Sequence, residues 1–457
     1  MFKTLLDFIK RVVNMLFKND DIKRITGYDS AMSVAMADKI QYWLDMYRGD
    51  ADWLDDYVKS LRLEQGICRE FSDCALSEIE TSVSNDKLNA IYQKCLVMLN
   101  ENLQAGLALG SFCLKPLGED KAEFVTADKF VPISFTADGK LESVIFISTK
   151  QIKTDSIYRR FELHELTPQG LHISNRAYHS KSETDIGREC ALEEVPEWAG
   201  LTPDVIFPAN RMDFGYYRNP LKNEIDGTFC GVSIYDSAID LIKKADVQFG
   251  RLEWEFESGE RAINVDVSAL QAQATVGTDG KTTFSAPKLN KRLYRGLGLA
   301  AGNNGEELYK EFSPAFRDQN IINGLDQIKQ SVEFNVGLAF GDLSNVKTVE
   351  KTATEIKHAK QRKYNRINAI ETNLKSCLDD FVYGLAFYNK LSNSGYEFVC
   401  NFKDSILTDE ETERNQDWKD ISIGALPLWK YIMKWQGLTE EEAKAQAAET
   451  TANTVME

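Results

Sequence analysis

The sequence predicts an α+β fold, with helices and strands in separate stretches of the chain. Residues 28–110 and 231–259 carry apolar side chains at spacings of three and four, which is typical of amphipathic helices. Residues 112–210 instead alternate apolar and polar side chains between turn signals, which is typical of strands. The 457 residues are enough for two or three domains with a substantial core.

The chain is acidic. Its formal net charge is −16, while its 43% hydrophobic and 27% charged residues are ordinary for a globular protein. This balance argues against a protein that wraps DNA through a basic surface, because such binding depends on neutralising phosphates. It does not exclude a protein past which DNA slides.

The cysteines and the N-terminal residues bear on the compartment. Eight cysteines are scattered without a CxxC pair, so we expect buried, reduced thiols and a reducing compartment. Residues 1–27 have apolar runs too short for a secretory signal, which needs roughly 7–15 apolar residues. They predict an amphipathic helix whose apolar face packs on protein or touches a membrane surface. No stretch approaches the roughly 20 apolar residues of a membrane span.

The helical patterns before residue 110 predict two helices, Ala31–Tyr47 and Asp86–Leu107. In the β-rich part that follows, Asp138–Gly139 lies between alternating runs and predicts a hairpin, since glycine accepts the positive φ of such turns. A second strand pair is predicted in IYRRFELHEL and GLHISNRAYHS, which are joined by Pro168–Gly170.

Three long helices are predicted in the second half of the chain. Asp236–Glu257 has an apolar stripe with alternating steps of three and four and would be roughly 33 Å long. Gln319–Val336 has a similar stripe. The third helix, about Thr352 to Phe387, would span roughly 54 Å, and Lys363 is the only polar residue in its stripe. A helix of that length implies a scaffold.

The remaining segments are shorter. Within 260–315, INVDVS and TTFSAP predict short strands. At the C-terminus, Thr439 with Glu442 has the spacing of a capping box, Pro427 suits a first helical turn, and the polar last residues are expected to fray.

Motifs of catalysis are absent from the sequence. VGTDGKTTF ends like a phosphate loop, but Thr275 stands where the first glycine is required, so a surface hairpin is the better interpretation. RGLGLAAG has no predicted strand before it and is interpreted as a flexible loop. The four histidines make no metal spacing with cysteines, and the acidic clusters suit helix first turns. We therefore expect no enzyme activity, no metal and no cofactor.

The order of these elements suggests an assembly. A helical and β body leads into a long helix, a small appendage, a second long helix that returns, a short loop and a very long helix. An antiparallel helix pair that carries a small tip cannot bury all its faces within one subunit. Neighbouring copies arranged in a ring would cover them.

Three stretches of the sequence point to a known family, and the first of them is DFGYYRNPLKNEIDGTFCGVSIYDSAIDLIKKADVQFGRLEWEFESGERAINV. This stretch resembles the first stem helix, and the approach to it, in the portal proteins of long-tailed, siphovirus-type bacteriophages. KTATEIKHAKQRKYNRINAIETNLKSCLDD is similar to the start of their long kinked helix and is the most specific of the three. ILTDEETERNQDWKDISIGALPLWKYIMKWQGLTEEEAKA is similar to their C-terminal helices. The resemblance covers residues 28–450 approximately.

After the N-terminal amphipathic helix (1–27), the resemblance implies a portal fold divided into named parts. These are a helical then β-rich wing (28–230), stem helix 1 (231–259), a small α/β clip (260–315), stem helix 2 (316–336), a tunnel loop (337–351), a long kinked wing helix with a following strand (352–407), and a helical crown with a tail (408–457).

The implied function is structural. Roughly twelve copies would form a ring, the head–tail connector, at one capsid vertex of the virion, and double-stranded DNA would pass through its channel during genome packaging and ejection. Expected partners are the terminase large subunit, the head–tail adaptor, the major capsid and scaffolding proteins, and DNA without sequence preference. No membrane is involved, and assembly would occur in the host cytoplasm.

Two groups of residues are candidates for contact with these partners. For the DNA-channel loop they are Gly337, Gly341, Ser344, Asn345, Lys347 and Lys351. The glycines would give freedom and the lysines weak phosphate contacts, although simple solubility also explains the lysines. For docking of the clip on the terminase or adaptor, or on a neighbouring subunit, they are Lys281, Lys288, Lys291, Arg292 and Arg295.

Two other functions compete with this one. A nucleotide-using enzyme, such as the packaging motor itself, would need a complete phosphate loop, which the sequence lacks. A non-viral coiled-coil scaffold or adaptor protein would form dimers or trimers, and it explains the β-rich region of about 100 residues poorly.

Overall fold

The computed structural model describes residues 19–77, 79–153, 156–182, 185–266, 273–276, 282–285, 294–297, 309–345, 353–392, 395–402, 410–436 and 438–454. These residues form α-helices and several separate β-sheets, so the predicted α+β class is confirmed.

Four of the five predicted long helical stripes correspond to single helices among the described residues, and the stripe at Asp86–Leu107 does not. The helices of the described residues are α1 (Asn19–Thr26), α2 (Val34–Arg48), α3 (Leu63–Leu76), α4 (Asp86–Cys95), α5 (Leu99–Leu109), α6 (Ile239–Ser258), α7 (Asp318–Val336), α8 (Ala353–Tyr388), α9 (Glu410–Ser422), α10 (Leu428–Gln436) and α11 (Glu440–Thr454). Among them, no helix has the length and apolar character needed to cross a bilayer.

The strands form both large and small sheets. They are β1 (Ile79–Val83), β2 (Ser111–Pro116), β3 (Ala122–Thr126), β4 (Phe130–Phe135), β5 (Leu141–Lys153), β6 (Ser156–Thr167), β7 (Gly170–Ser180), β8 (Arg188–Cys190), β9 (Asp204–Phe207), β10 (Gly215–Arg218), β11 (Ala262–Asp266), β12 (Gln273–Val276), β13 (Thr282–Ser285), β14 (Tyr294–Leu297), β15 (Tyr309–Phe312) and β16 (Phe398–Phe402).

The largest of these sheets is antiparallel and has the strand order β4-β5-β6-β7-β8, with β9 also pairing with β7. Both predicted hairpins occur in it. Gly139 has φ of +82° and donates its N–H to the Thr136 carbonyl at 2.9 Å, which closes the β4–β5 turn. The β6–β7 pair brings Thr167 opposite Gly170.

One prediction for the first helical region is wrong, and one strand in that region was missed. The single helix predicted for Asp86–Leu107 is broken, because the N–H of Leu96 bonds to the Gln93 carbonyl at 3.3 Å and tightens the turn where α4 ends. The apolar stripe continues across the break, so its spacing did not reveal it. Strand β1 was not predicted at all, because its partner β16 lies near the other end of the chain, with Ile79 opposite Phe402.

The long helix α8 crosses the body and confirms the predicted third long helix almost to the residue. Its stripe is fully buried at Ile367, Ile370, Leu374, Leu378, Phe381 and Leu385. Two glycines allow this close approach. A Cβ on Gly215 would lie 2.0 Å from the Cys377 carbonyl oxygen, and one on Gly384 would lie 2.0 Å from that of Asp213.

The cysteines are free thiols, as predicted. Five of them are buried, and burial raises the pKa of the fully buried Cys113 and Cys377 thiols well above the ordinary value. These side chains therefore act as small apolar groups of the core.

The segment between α6 and α7 contains short strands. β11 lies between β14, to which it is parallel, and β15, to which it is antiparallel. β12 and β13 form the antiparallel pair predicted around the Gly-Lys-Thr sequence. The loop interpretation of RGLGLAAG is wrong for its first residues, because Arg295–Leu297 belongs to β14; a parallel partner distant in sequence decides this.

The C-terminal helices agree with the prediction in one respect and differ in another. Glu442 accepts the N–H of Thr439 at 3.0 Å, which is one half of a capping box. Helix α11 then continues to Thr454, so the polar residues predicted to fray are helical as far as that residue.

Candidate functional site

Helices α6 and α7 form an antiparallel pair, which we call the helix pair. At the body end, the Ser237 hydroxyl, just before α6, donates to the Asn335 carbonyl at 3.4 Å. Further out, Gln248 Nε2 donates to the Ile321 carbonyl at 3.2 Å. At the outer end, Arg317 Nη2 lies 2.7 Å from Glu255 Oε2. Contacts thus join the two helices along their whole length.

Burial within the helix pair falls from the body outward. Ile242 and Val332, near the body, are fully buried. At the outer end, Phe256 and Phe316 contact each other with ring centroids 5.5 Å apart, yet both side chains are almost half exposed. The apolar stripes are therefore only partly covered within one subunit.

The residues after α7 are organised by a single carboxylate. Gly337 ends the helix in the left-handed region, with φ of +92°. Glu333, which is completely buried, turns its side chain toward the following loop. Its Oε1 accepts the N–H groups of Gly341, Leu343 and Ser344 at 3.1, 2.6 and 2.8 Å, and its Oε2 accepts the Ser344 hydroxyl at 3.0 Å.

A second contact ties this loop to the long helix. Lys363, the one polar residue in the predicted stripe of α8, lies 3.1 Å from Asp342 in the loop. Its Nζ also lies 2.5 Å from Glu70 on α3. Burial alone would lower the pKa of Lys363, but its hydrogen bond to Glu70 and the nearby Asp342 raise it above the ordinary value. The ammonium group therefore stays charged and joins three elements.

Four of the six predicted channel residues lie in the described part of the loop, which ends at residue 345. Gly337, Gly341 and Ser344 belong to the segment held by Glu333, and Asn345 follows it in an exposed position. Lys347 and Lys351 lie outside the described residues. The first part of the predicted mobile loop is thus fixed to α7.

Most of the predicted docking residues of the clip also lie outside the described residues. These are Lys281, Lys288, Lys291 and Arg292. Arg295 lies in β14, where its backbone is opposite Asn264 of β11.

One arginine beside the loop was not among the site residues predicted from the sequence. Arg362 of α8 places its guanidinium carbon 4.8 Å from the ring centroid of Phe334 and 5.1 Å from that of Phe340. Phe334 comes from α7 and Phe340 from the loop. The available signal was the basic run KHAKQRKYNR at 357–366, which is unusual in so acidic a chain.

A buried polar cluster links the large sheet to the end of α8. His164 of β6 has Nδ1 2.8 Å from Asp213 and Nε2 3.0 Å from Glu162, and Lys115 lies 2.6 Å from Glu162. Tyr388, the last residue of α8, donates its hydroxyl to Asp213 at 2.6 Å. The sequence showed these histidine and acidic residues only as parts of strands.

Electrostatics keep this histidine charged. Burial would lower the pKa of His164, but the carboxylates of Asp213 and Glu162 outweigh burial and raise it to about 9. His164 in turn holds the pKa of Asp213 below its ordinary range, and Lys115 together with His164 outweighs burial and does the same for Glu162. Because the imidazole is only 1% exposed, the cluster serves as a link within the protein rather than as a surface for a substrate.

Within the described part of the chain, no group of three or more histidine, cysteine or acidic side chains is arranged to hold a metal ion. No protein-family model and no curated protein matches the sequence.

Proposed function

We propose that the chain is a portal protein, forming a ring at one capsid vertex through which double-stranded DNA is packaged and ejected. The observation that carries the proposal is the helix pair followed by a short loop and the 36-residue helix α8. This order matches the stem, tunnel loop and long wing helix that the resemblance to phage portals implies.

The helix pair supports assembly into a ring. Large apolar side chains stay exposed along it and beside it, namely Trp254, Phe256, Phe316, Phe334 and Phe340. Large apolar side chains that are exposed in groups on a protein surface mark interaction sites. Neighbouring copies in a closed ring would bury these side chains without leaving free ends.

In the proposed ring the loop after α7 faces the channel. Glu333 and Lys363 fix the first part of this loop, through Ser344 and Asp342 respectively. Lys347 and Lys351 would then make weak, sequence-independent phosphate contacts. The net charge of −16 would repel phosphates elsewhere and keep the duplex from adhering to the wall.

The chain would act without catalysis of its own. A separate terminase would hydrolyse nucleotide and dock on the clip, which the head–tail adaptor would occupy after packaging. The major capsid and scaffolding proteins would surround the wing. The protein would lie at the portal vertex of the virion and, during assembly, in the host cytoplasm.

Averaged electron images of the purified protein test the proposal. We expect end-on views of rings with an axial channel wide enough for a DNA duplex. Compact dimers or trimers without a channel would contradict the proposal and favour a coiled-coil adaptor.

A further inference from the structure

Arg362 of α8 makes no ion pair among the residues that the structure describes. No carboxylate among the described residues pairs with it, and its Nε is buried without a hydrogen-bond partner. The guanidinium contacts two aromatic rings instead, those of Phe334 and Phe340. The chain has 70 acidic and 54 basic residues, so an arginine that contacts two rings and has no carboxylate partner among the described residues calls for an external partner.

The rings around Arg362 indicate what kind of partner this is. Phe334 is 61% exposed and Phe340 is 39% exposed. Arginine with aromatic side chains is the composition that recurs at the centre of protein interfaces. A DNA duplex offers phosphates but no apolar surface that would cover two phenyl rings. The patch of Phe334, Phe340 and Arg362 therefore suits a protein carboxylate flanked by apolar atoms.

The helix pair shows where such a carboxylate lies on the same chain. Asn335, next to Phe334, contacts Ser237 across the pair, so the patch is level with the first turn of α6. Asp240 is exposed in that turn. It makes no ion pair among the described residues. Within the described part of the chain, one cation and one anion at the same level of the helix pair thus make no ion pair.

We infer that this patch is one half of a contact between two copies of the chain, and that Asp240 of the neighbouring copy supplies the carboxylate to Arg362. The inference rests on the proposed ring. Rotation about a single axis brings each level of one copy against the same level of the next, and a head-to-tail contact joins two different surfaces. Arg362 on one copy then meets Asp240 on the next, all around the ring.

Charge reversal tests the contact. Arg362→Glu and Asp240→Arg should each raise the concentration needed for assembly at least roughly tenfold, because each places like charges together. The double variant Arg362→Glu/Asp240→Arg restores opposite charges and should recover most of the assembly. Mass photometry over a dilution series measures all three against the wild type.

The controls separate this contact from general effects. Arg176→Glu reverses an exposed charge on β7 and should leave assembly unchanged. Circular dichroism and thermal melting show whether each variant remains folded. A further variant, Arg362→Met, removes the charge without introducing repulsion and should weaken assembly less than Arg362→Glu.

Several outcomes would overturn the inference. If the wild type formed rings and Arg362→Glu assembled at the same concentration, the contact would be rejected and the proposed function would stand. Single reversals that disrupt rings without rescue in the double variant would reject Asp240 as the partner. If Arg362→Glu assembled normally but no longer bound duplex DNA at low salt, Arg362 would be a phosphate contact instead. A monomeric wild type at all concentrations would reject both the contact and the ring.

Discussion

The buried carboxylate of Glu333 accepts the backbone N–H of Ser344 at 2.8 Å, so a side chain of α7 shapes the loop that follows the same helix. The amides of Gly341 and Leu343 point at the same oxygen. Charge-assisted bonds of this kind are stronger than neutral ones. Glu333 therefore fixes the path of the backbone from Gly341 to Ser344, which precedes Lys347 and Lys351 in the sequence.

Replacing Glu333 by glutamine should loosen this loop. The amide keeps the size of the side chain but loses the charge that three N–H groups share, so we expect the free energy of unfolding to fall by about 1–3 kcal/mol. Hydrogen exchange of the Gly341, Leu343 and Ser344 amides should accelerate at the same time. Glu253→Gln, at an exposed position of α6, is the matched control and should change neither quantity. Equal exchange in wild type and Glu333→Gln would contradict the assigned hydrogen bonds.

Glu64 should make stability depend on pH below neutrality. Burial raises its pKa to about 7 from the ordinary 4.5, with Asp246 adding to the effect, and its Oε2 has no hydrogen-bond partner. The folded state thus binds the proton more tightly than the unfolded state. Stability from this group is fully present below pH 4.5 and is lost as pH rises to about 7.

Glu64→Gln removes this titration. At pH 8 the variant should be more stable than the wild type, by about 3 kcal/mol if the whole shift is expressed. Urea unfolding at several pH values between about 4.5 and 8 measures the difference. For Glu101→Gln, at an exposed position of α5, the free energy of unfolding should change with pH as it does in the wild type. If the free energy of unfolding of Glu64→Gln also changed with pH as in the wild type, Glu64 would not titrate in this range.

His164 should contribute in a higher pH window. Its pKa is raised to about 9 in the folded state from 6.5, so its stabilisation is full below pH 6.5 and is lost as pH rises through about 9. His164→Gln leaves the buried Asp213 and Glu162 without this cation. We expect a loss of about 3–5 kcal/mol at pH 6 and a smaller loss at pH 10.

Chemical unfolding at these two pH values measures the effect of His164. His179→Gln is the control, because His179 is partly exposed and bonds to the Ser156 hydroxyl at 2.9 Å rather than to a carboxylate. It should cost much less at both pH values. The same loss for His164→Gln at pH 6 and pH 10 would mean that the imidazole is uncharged in the folded protein.

The channel lysines are tested by DNA transport. Under the proposed function, the double variant Lys347→Ala/Lys351→Ala should package DNA more slowly than wild type, because it lacks the weak phosphate contacts of the loop. Packaged DNA protected from nuclease, measured over time, gives the rate. Lys222→Ala, a change at an exposed body residue, is the control. A double variant that packages at the wild-type rate would leave solubility as the explanation of the two lysines.

Helix positions were predictable where packing imposes a continuous apolar stripe. The bounds of α6, α7 and α8 differ from the predicted ones by at most a few residues, because one face of each helix must meet the body. The α4–α5 break was not predictable, since a tight turn preserved the stripe across it. Nor was β1, because a strand that pairs with the far end of the chain carries little local signal.

The site was only partly predictable, for a related reason. Lys363 was visible as a polar residue in an apolar stripe, and Asp342 with Glu70 explains it. Arg362 was overlooked because its ring partners lie on other elements. His164 meets Asp213 across 49 residues, which no spacing rule covers. Interactions between distant segments, rather than local periodicity, determine these contacts.

The particle mass of the purified protein tests the central claim most directly. The subunit mass is 51.7 kDa, so mass photometry separates a large ring from a small oligomer without ambiguity. The proposed portal function predicts a closed ring of roughly twelve copies, whose end-on electron images show rotational symmetry about a single axis. A stable dimer or trimer at every concentration would contradict it.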